Sequence, residues 1–239
     1  MLLKSTISSL LLASTLLLLT GAAQAQGRFS IGPRLGLNVS TYHFTESTPA
    51  QSVKYRPGVE AGLMANIGLG GHLAVQPSLL YSQKGFTEST SVDVRTGTNL
   101  PVGSGELEYR NRLNYLSLPI NMAYSQRADG QGFQVFAGPY VGLLLSGKYE
   151  STIKVAGNST TEGGKITPVS GDAPEYGAFA HRFDAGLQGG IGYRYSALLL
   201  QLDYSLGLRE VPARYAYSNS TYYNRTFQLA LSYLVGPNK

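Results

Sequence analysis

The chain has 239 residues, a net charge of +5, no cysteine and only 14% charged residues. We therefore expect one domain without disulfides, cysteine metal sites or a lipid-bearing cysteine, and the mild, scattered charge does not favour nucleic-acid binding. Soluble domains carry roughly a quarter charged residues. The low charge, together with 17 Tyr and 29 Gly, is typical of an exported β-barrel whose outer wall contacts lipid.

Residues 1–25 have the pattern of a secretory signal peptide. Lys4 supplies a basic start, an apolar run covers 10–19, and Ala23-Gln24-Ala25 offers small residues for cleavage. A transmembrane anchor is the alternative, but the apolar run is shorter than the roughly 20 residues that a helix needs to cross a bilayer. We predict export, cleavage after Ala25 and a mature domain of residues 26–239.

The mature sequence alternates apolar and polar residues with the period of two that a β-strand requires. Between 198 and 209, for example, leucines and Tyr204 occupy every second position, with Gln201, Asp203 and Ser205 between them. Eight such segments are predicted, at 29–39, 59–67, 73–84, 116–124, 133–148, 183–195, 198–209 and 226–235.

The predicted connectors alternate between long and short. The long ones are 40–54, 87–108, 149–180 and 210–223, and the short ones are Gly70-Gly71, 127–132 and a bend near Ser196. Outer-membrane barrels have short periplasmic turns and long external loops. The alternative is a soluble β-sandwich, in which long and short loops are not expected to alternate along the chain. The prediction is an all-β, eight-stranded, antiparallel up-and-down transmembrane β-barrel with both termini in the periplasm.

Eight strands enclose a lumen that side chains fill, so we do not expect an open pore. The charged residues predicted to face inward are Arg34, Glu60, Lys84, Asp184, Arg194 and Asp203. A lone buried charge is unfavourable, so these residues should pair with one another or reach water. They form either a structural polar core or a path for protons or a substrate.

Basic residues are more numerous near the predicted outer strand ends than near the periplasmic ends. The candidates for a basic collar are Lys54, Arg56, Arg110, Arg112, Arg182, Arg214 and Arg225. Such a collar would bind the phosphates of the anionic glycolipid, lipopolysaccharide, in the outer leaflet. The alternative is that strand ends meet water and tolerate any charge.

No motif predicts catalysis or a cofactor. The sequence contains no G-x-S-x-G, no H-E-x-x-H and no phosphate-binding glycine loop. His181 and Asp184 are three residues apart, which on a strand places them on opposite faces. We predict a protein that is not an enzyme and that uses neither a cofactor nor a metal.

Five phrases carry a family resemblance: LAVQPSLLYSQKG at 73–85, LNYLSLP at 113–119, FAGPYVG at 136–142, DAGLQGG at 184–190 and YSLGL at 204–208. In this order they resemble the PorT-like outer-membrane β-barrel family of Bacteroidetes. The resemblance implies an eight-stranded outer-membrane barrel with little assigned chemistry, although one member is linked to secretion and gliding.

These patterns leave four functional hypotheses. The first is a non-enzymatic outer-membrane barrel, structural or binding an extracellular ligand through its long loops. The others are a narrow channel or transporter, a secretion-associated barrel, and an outer-membrane hydrolase. The expected partners are membrane lipid and the machinery that assembles outer-membrane barrels.

Overall fold

The computed structural model describes residues 29–44, 51–95, 101–171, 177–214 and 222–236, so the predicted signal peptide lies outside the described residues. This part of the chain contains no helix that could span a membrane. Its strands are β1 (Phe29–Phe44), β2 (Gln51–Gly70), β3 (Leu73–Arg95), β4 (Pro101–Ser125), β5 (Gly132–Val155), β6 (Asn158–Val169), β7 (Ala178–His181), β8 (Phe183–Tyr195), β9 (Leu198–Glu210), β10 (Pro212–Arg214) and β11 (Tyr222–Tyr233).

Eight of these strands close a ring of antiparallel pairs in the order β1, β2, β3, β4, β5, β8, β9, β11, and β11 pairs back onto β1. Leu37 of β1, for example, lies between Val59 of β2 and Leu229 of β11. Because hydrocarbon offers no hydrogen-bond partner, a sheet can cross a membrane only when it is closed in this way. The predicted eight-stranded barrel is confirmed.

The tight turns of the ring lie together at one end, which we call the short-turn end. They cover residues 71–72, 126–131 and 196–197. Gly71 (φ 56°) and Ser196 (φ 55°) have the left-handed backbone that tight hairpins use. Phe29 begins the ring at this end, and a bridge between Ile31 and Val235 ends it there. We call the opposite end the extended end.

The outer wall of the ring is an apolar belt. Leu35 and Leu37 are 65% and 66% exposed, whereas Arg34 and Asn38 beside them are buried and face the lumen. The belt consists of the outward-facing residues of 29–39, 59–69, 73–81, 116–124, 133–145, 183–195, 198–208 and 227–235. These segments are long enough for a tilted strand to cross a bilayer, which takes ~9–11 residues.

Aromatic side chains mark both edges of the belt, as in other membrane barrels. The exposed aromatic residues at the short-turn edge are Phe29, Tyr124, Phe133, Tyr193, Tyr195 and Tyr233. At the other edge, the ring of Phe227 lies 4.6 Å from that of Tyr204 and 6.5 Å from that of Tyr55.

Most of segments 87–108 and 149–180, predicted as loops, is strand. β3 and β4 stay paired as far as Arg95 and Pro101. β5 turns back into β6, which then pairs in parallel with β7, and β7 pairs with β10. At the extended end, therefore, β6 enters the wall between β5 and the β7–β10 pair.

An apolar cluster inside the extended end explains why these segments are ordered strands. Its buried members are Tyr42, Phe86, Leu113, Tyr115, Leu144, Ile166, Ala178, Ala180, Val211 and Tyr222. In the belt, apolar side chains face outward and polar ones inward, but beyond the belt the arrangement is reversed. The alternation that places apolar residues on the outside therefore ends at the belt edge, although the strands continue beyond it.

The belt can be tested with a charge at mid-depth. Leu35→Arg should lower the free energy of unfolding in lipid vesicles by about 2–4 kcal/mol, because the arginine would enter hydrocarbon. The matched control Val39→Arg, at the belt edge, should lower it by only about 0–1 kcal/mol. Denaturant titration measures both changes, and equal stability of the two variants would contradict a lipid-facing wall.

Candidate functional site: a closed lumen and a basic outer face

The lumen opens at the short-turn end into a cavity of about 820 Å³, whose lining includes Ser30, Asn66 and Arg194. Arg194, predicted to lie in the lumen core, is half-buried at this mouth because it is the last lumen-facing residue of β8. Its Nη2 donates to Ser30 Oγ at 3.2 Å, and its Nε donates to the Ser196 carbonyl at 3.3 Å. Arg194 is in no ion pair among the described residues.

A layer of amides closes the inner side of this cavity. Gln76 Nε2 donates to Asn66 Oδ1 at 2.9 Å and to Gln134 Oε1 at 3.0 Å, and Gln201 Nε2 donates to Gln76 Oε1 at 3.2 Å. Gln76 and Gln201 belong to β3 and β9, which lie on opposite sides of the ring. The amide chain therefore crosses the lumen.

Arg34 forms the next layer. Its Nε lies 3.0 Å from Glu60 Oε1, its Nη2 lies 3.3 Å from Asp203 Oδ1, and its Nη1 donates to Gln201. Arg34, Glu60 and Asp203 are all 3–4% exposed. One guanidinium thus bridges two buried carboxylates from β2 and β9.

Asp184 is the centre of a third layer. Its Oδ2 accepts from Lys84 Nζ at 3.2 Å, from Asn224 Nδ2 at 2.8 Å and from the Tyr140 hydroxyl at 3.3 Å. Lys84 Nζ also lies 4.5 Å from the centroid of the Tyr140 ring. A Cβ atom on Gly186 would lie 2.7 Å from that ring, so the glycine makes room for it. This layer joins β3, β5, β8 and β11.

Little open space remains beyond the Arg34 layer. A cavity of about 10 Å³ lined by Glu60, Lys84 and Tyr140 has room for about one water molecule. Above it, the ring of Tyr42 packs 4.7 Å from the rings of both Phe86 and Tyr222. The polar layers and the apolar cluster together occupy the lumen between the cavity at the short-turn end and the extended end.

The outer wall carries a row of basic side chains just beyond the belt. Arg112 is exposed between the buried Asn111 and Leu113, so it faces outward. Arg112 pairs in register with Lys148 of β5, and Lys148 pairs with Lys165 of β6. The three cations therefore lie side by side on adjacent strands.

Arg56 extends this row onto β2. A Cβ atom on Gly85, the β3 partner of Arg112, would lie 3.2 Å from Arg56 Cδ. Burial lowers the pKa of Arg56, Arg112 and Arg110 lower it further, and Glu150 acts in the opposite direction. The arginines are thus close enough to repel one another. We call Arg56, Arg112, Lys148 and Lys165 the basic row.

The other collar candidates are spread around the wall. Arg110 lies one step farther out and is paired through Nε with Glu108 Oε1 at 2.6 Å. Lys54 is exposed on β2, and Arg182 is exposed directly before Phe183. Arg225 is half-buried and donates to the Gly207 carbonyl at 3.0 Å. The side chain of Arg214 lies outside the described residues.

Lys165 was missed from the sequence because it lies in the segment predicted as a loop. The described residues contain no cluster of three or more His, Cys, Asp or Glu side chains that could hold a metal ion. His181 is half-buried in β7, whereas Asp184 is buried in the lumen.

A family model described as "Outer membrane protein beta-barrel domain" matches residues 22–211. The chain belongs to this family. It is therefore an outer-membrane β-barrel protein, in agreement with the closed ring and the apolar belt.

Solved structures of other outer-membrane barrels are similar to this family member at low identity. Ail of Yersinia pestis matches with 11% identity and a TM-score of 0.40, over 88% of this chain and 99% of that chain. Neisserial surface protein A matches with 8% identity and a TM-score of 0.38, over 86% and 96%. OprG of Pseudomonas aeruginosa matches with 9% identity and a TM-score of 0.36, over 89% and 98%. None of the curated proteins matches the sequence.

Removing the cation of the second lumen layer tests how the barrel depends on it. Arg34→Met leaves Glu60 and Asp203 buried without their shared cation, so the free energy of unfolding should fall by about 3–5 kcal/mol. Adding Glu60→Gln and Asp203→Asn removes both charges and should recover most of the loss. Arg194→Met, at the lumen mouth, is the matched control with a much smaller expected loss. Equal losses in the two single variants would contradict this account.

Proposed function

We propose that this outer-membrane barrel is not an enzyme and not a channel, and that it acts by binding a ligand through its extended end. The observation that carries the proposal is the filled lumen. The Gln76–Gln201 hydrogen bond joins opposite walls, and the Asp184 layer joins four strands. Because side chains cross the lumen in this way, we assign the interior a structural role and the outer surfaces the binding role.

The extended end offers a preformed surface for an extracellular ligand. Its strands surround their own apolar cluster, and polar contacts between outward-facing side chains stiffen the sheet outside it. Thr152 and Thr161 hydroxyls are 2.9 Å apart, and Lys154 Nζ lies 3.2 Å from Glu108 Oε2 and 3.4 Å from Glu106 Oε2. Hydrogen bonds to Glu108 and Glu106 raise the pKa of Lys154. A surface that is already ordered loses less conformational entropy when it binds.

The proposal includes export and orientation. The signal peptide is removed after Ala25, the short-turn end faces the periplasm and the extended end faces outward. Both ring termini lie at the short-turn end, as expected for an exported chain with an even number of strands. On the five phrases between 73 and 208 we place the chain with the PorT-like barrels of Bacteroidetes, and a secretion-associated role would use the same outer surface.

Orientation can be tested by labelling, since the chain has no cysteine of its own. Thr161→Cys lies on β6 and Asp129→Cys in a tight turn, and both positions are exposed. A maleimide too large to cross the outer membrane should label Thr161→Cys on intact cells, and Asp129→Cys only after the membrane is broken. The cysteine-free parent is the control, and the reverse pattern would overturn the orientation.

Conductance separates the proposal from a narrow channel. The purified protein in a planar bilayer should show no discrete openings, because the amide, Arg34 and Asp184 layers block the lumen. Heat-modifiable gel migration of the same preparation shows that folded barrel is present. Discrete openings from the folded protein would reject the closed lumen and favour the channel.

A further inference from the structure

We infer that the basic row binds the phosphate groups of an anionic glycolipid in the outer leaflet. The inference deepens the proposed function, because it rests on the extended end facing outward. It names a lipid partner for one side of the wall, across β2 to β6.

The height of the row above the belt fits a lipid headgroup. Leu116 is the outermost belt residue of β4, and Arg112 follows it four residues farther out. Four residues extend about 13 Å along a strand at roughly 3.3 Å per residue. At a strand tilt of roughly 35–45°, this distance is about 10 Å in height. A phosphate bound there would leave the acyl chains of its lipid against the belt.

The distribution of charge with height favours an anion at this level. Farther out, charges of both signs are paired, as in the contacts of Lys154 with Glu106 and Glu108. In the row itself, Arg112, Lys148 and Lys165 form no ion pair among the described residues. The carboxylate nearest to the row in register is Glu150, opposite Arg110. The outer wall therefore carries a net positive charge at the level of the basic row, which lies closer to the membrane.

The register gives a second, independent reason. Arg112, Lys148 and Lys165 are direct cross-strand partners, and like charges placed directly opposite each other destabilise a sheet. A phosphate between them removes this repulsion. Arginine adds geometry, since its planar fork can donate two hydrogen bonds to one phosphate.

The continuity of the row with the apolar belt decides between a lipid and a soluble anion. Below Arg112 the outward positions of β4 are Asn114 and then Leu116, Leu118 and Ile120, the last three all exposed. A ligand that contacts both regions is amphipathic, with phosphate at the row and hydrocarbon along the leucines. A membrane glycolipid has this chemistry, and free phosphate does not.

Native mass spectrometry of the full-length protein in detergent tests the site, with bis-phosphorylated lipid A as the probe. R112Q/K148Q should bind the probe at least tenfold more weakly than the parent. R127Q/R209Q removes two exposed cations away from the row, one in a tight turn and one on β9, and should bind like the parent. R112K/K148R keeps the charge and should retain most of the binding. Heat-modifiable migration shows that each variant is folded.

Two further probes separate the possible ligands. Dephosphorylated lipid A should bind at least tenfold more weakly than the phosphorylated form. Inorganic phosphate at the same concentration should leave the bound lipid in place. Equal binding by R112Q/K148Q and R127Q/R209Q, equal binding of the two lipids, or displacement by inorganic phosphate would overturn the inference. The labelling and conductance experiments test orientation and the closed lumen separately. A wrong orientation or an open lumen would therefore be distinguished from a failure to bind lipid.

Discussion

The hydrogen-bonded closure of β1 onto β11 is the constraint on which the rest of the structure depends. Within hydrocarbon, an open strand edge would leave backbone N–H and C=O groups without partners, so the sheet must close. Closure fixes which side of every strand faces the lumen. Arg34, Glu60 and Asp203 then share a narrow, buried space. Their mutual contacts follow from this confinement, because separated buried charges would be far less stable.

The edge of the belt is where the surrounding medium changes, and side-chain polarity reverses there. Below the edge, leucines face lipid and amides face the lumen. Beyond it, Phe86 and Ile166 turn inward to a common apolar cluster, while Lys148 and Lys165 face outward. The same strands thus form a membrane barrel in one half and a water-facing β-unit with its own core in the other. The basic row lies close to the boundary between the two.

This division places structural and functional roles in different parts of the molecule. The lumen layers stabilise the ring, because each of them joins strands that are not neighbours in the sheet. Asn224 and Lys84, for example, reach Asp184 from two other strands. The outer face of the extended end is the surface that we propose binds a ligand. The family assignment agrees with such an arrangement but does not specify a ligand.

The sequence by itself determined the belt segments of the eight ring strands, the side of each that faces lipid, the position of the tight turns and the inward position of Arg34 and Asp184. These are local properties, since alternation and turn residues act over a few neighbours. Only the tertiary structure decided that Arg34 meets Glu60 and Asp203, which are 26 and 169 residues away along the chain. It also decided that β6 joins the wall and brings Lys165 beside Lys148. Both outcomes depend on the register between strands that are distant in the sequence. Beyond the belt edge the outward residues are polar, so a pattern that expects apolar residues on the outside does not identify the outer parts of these strands.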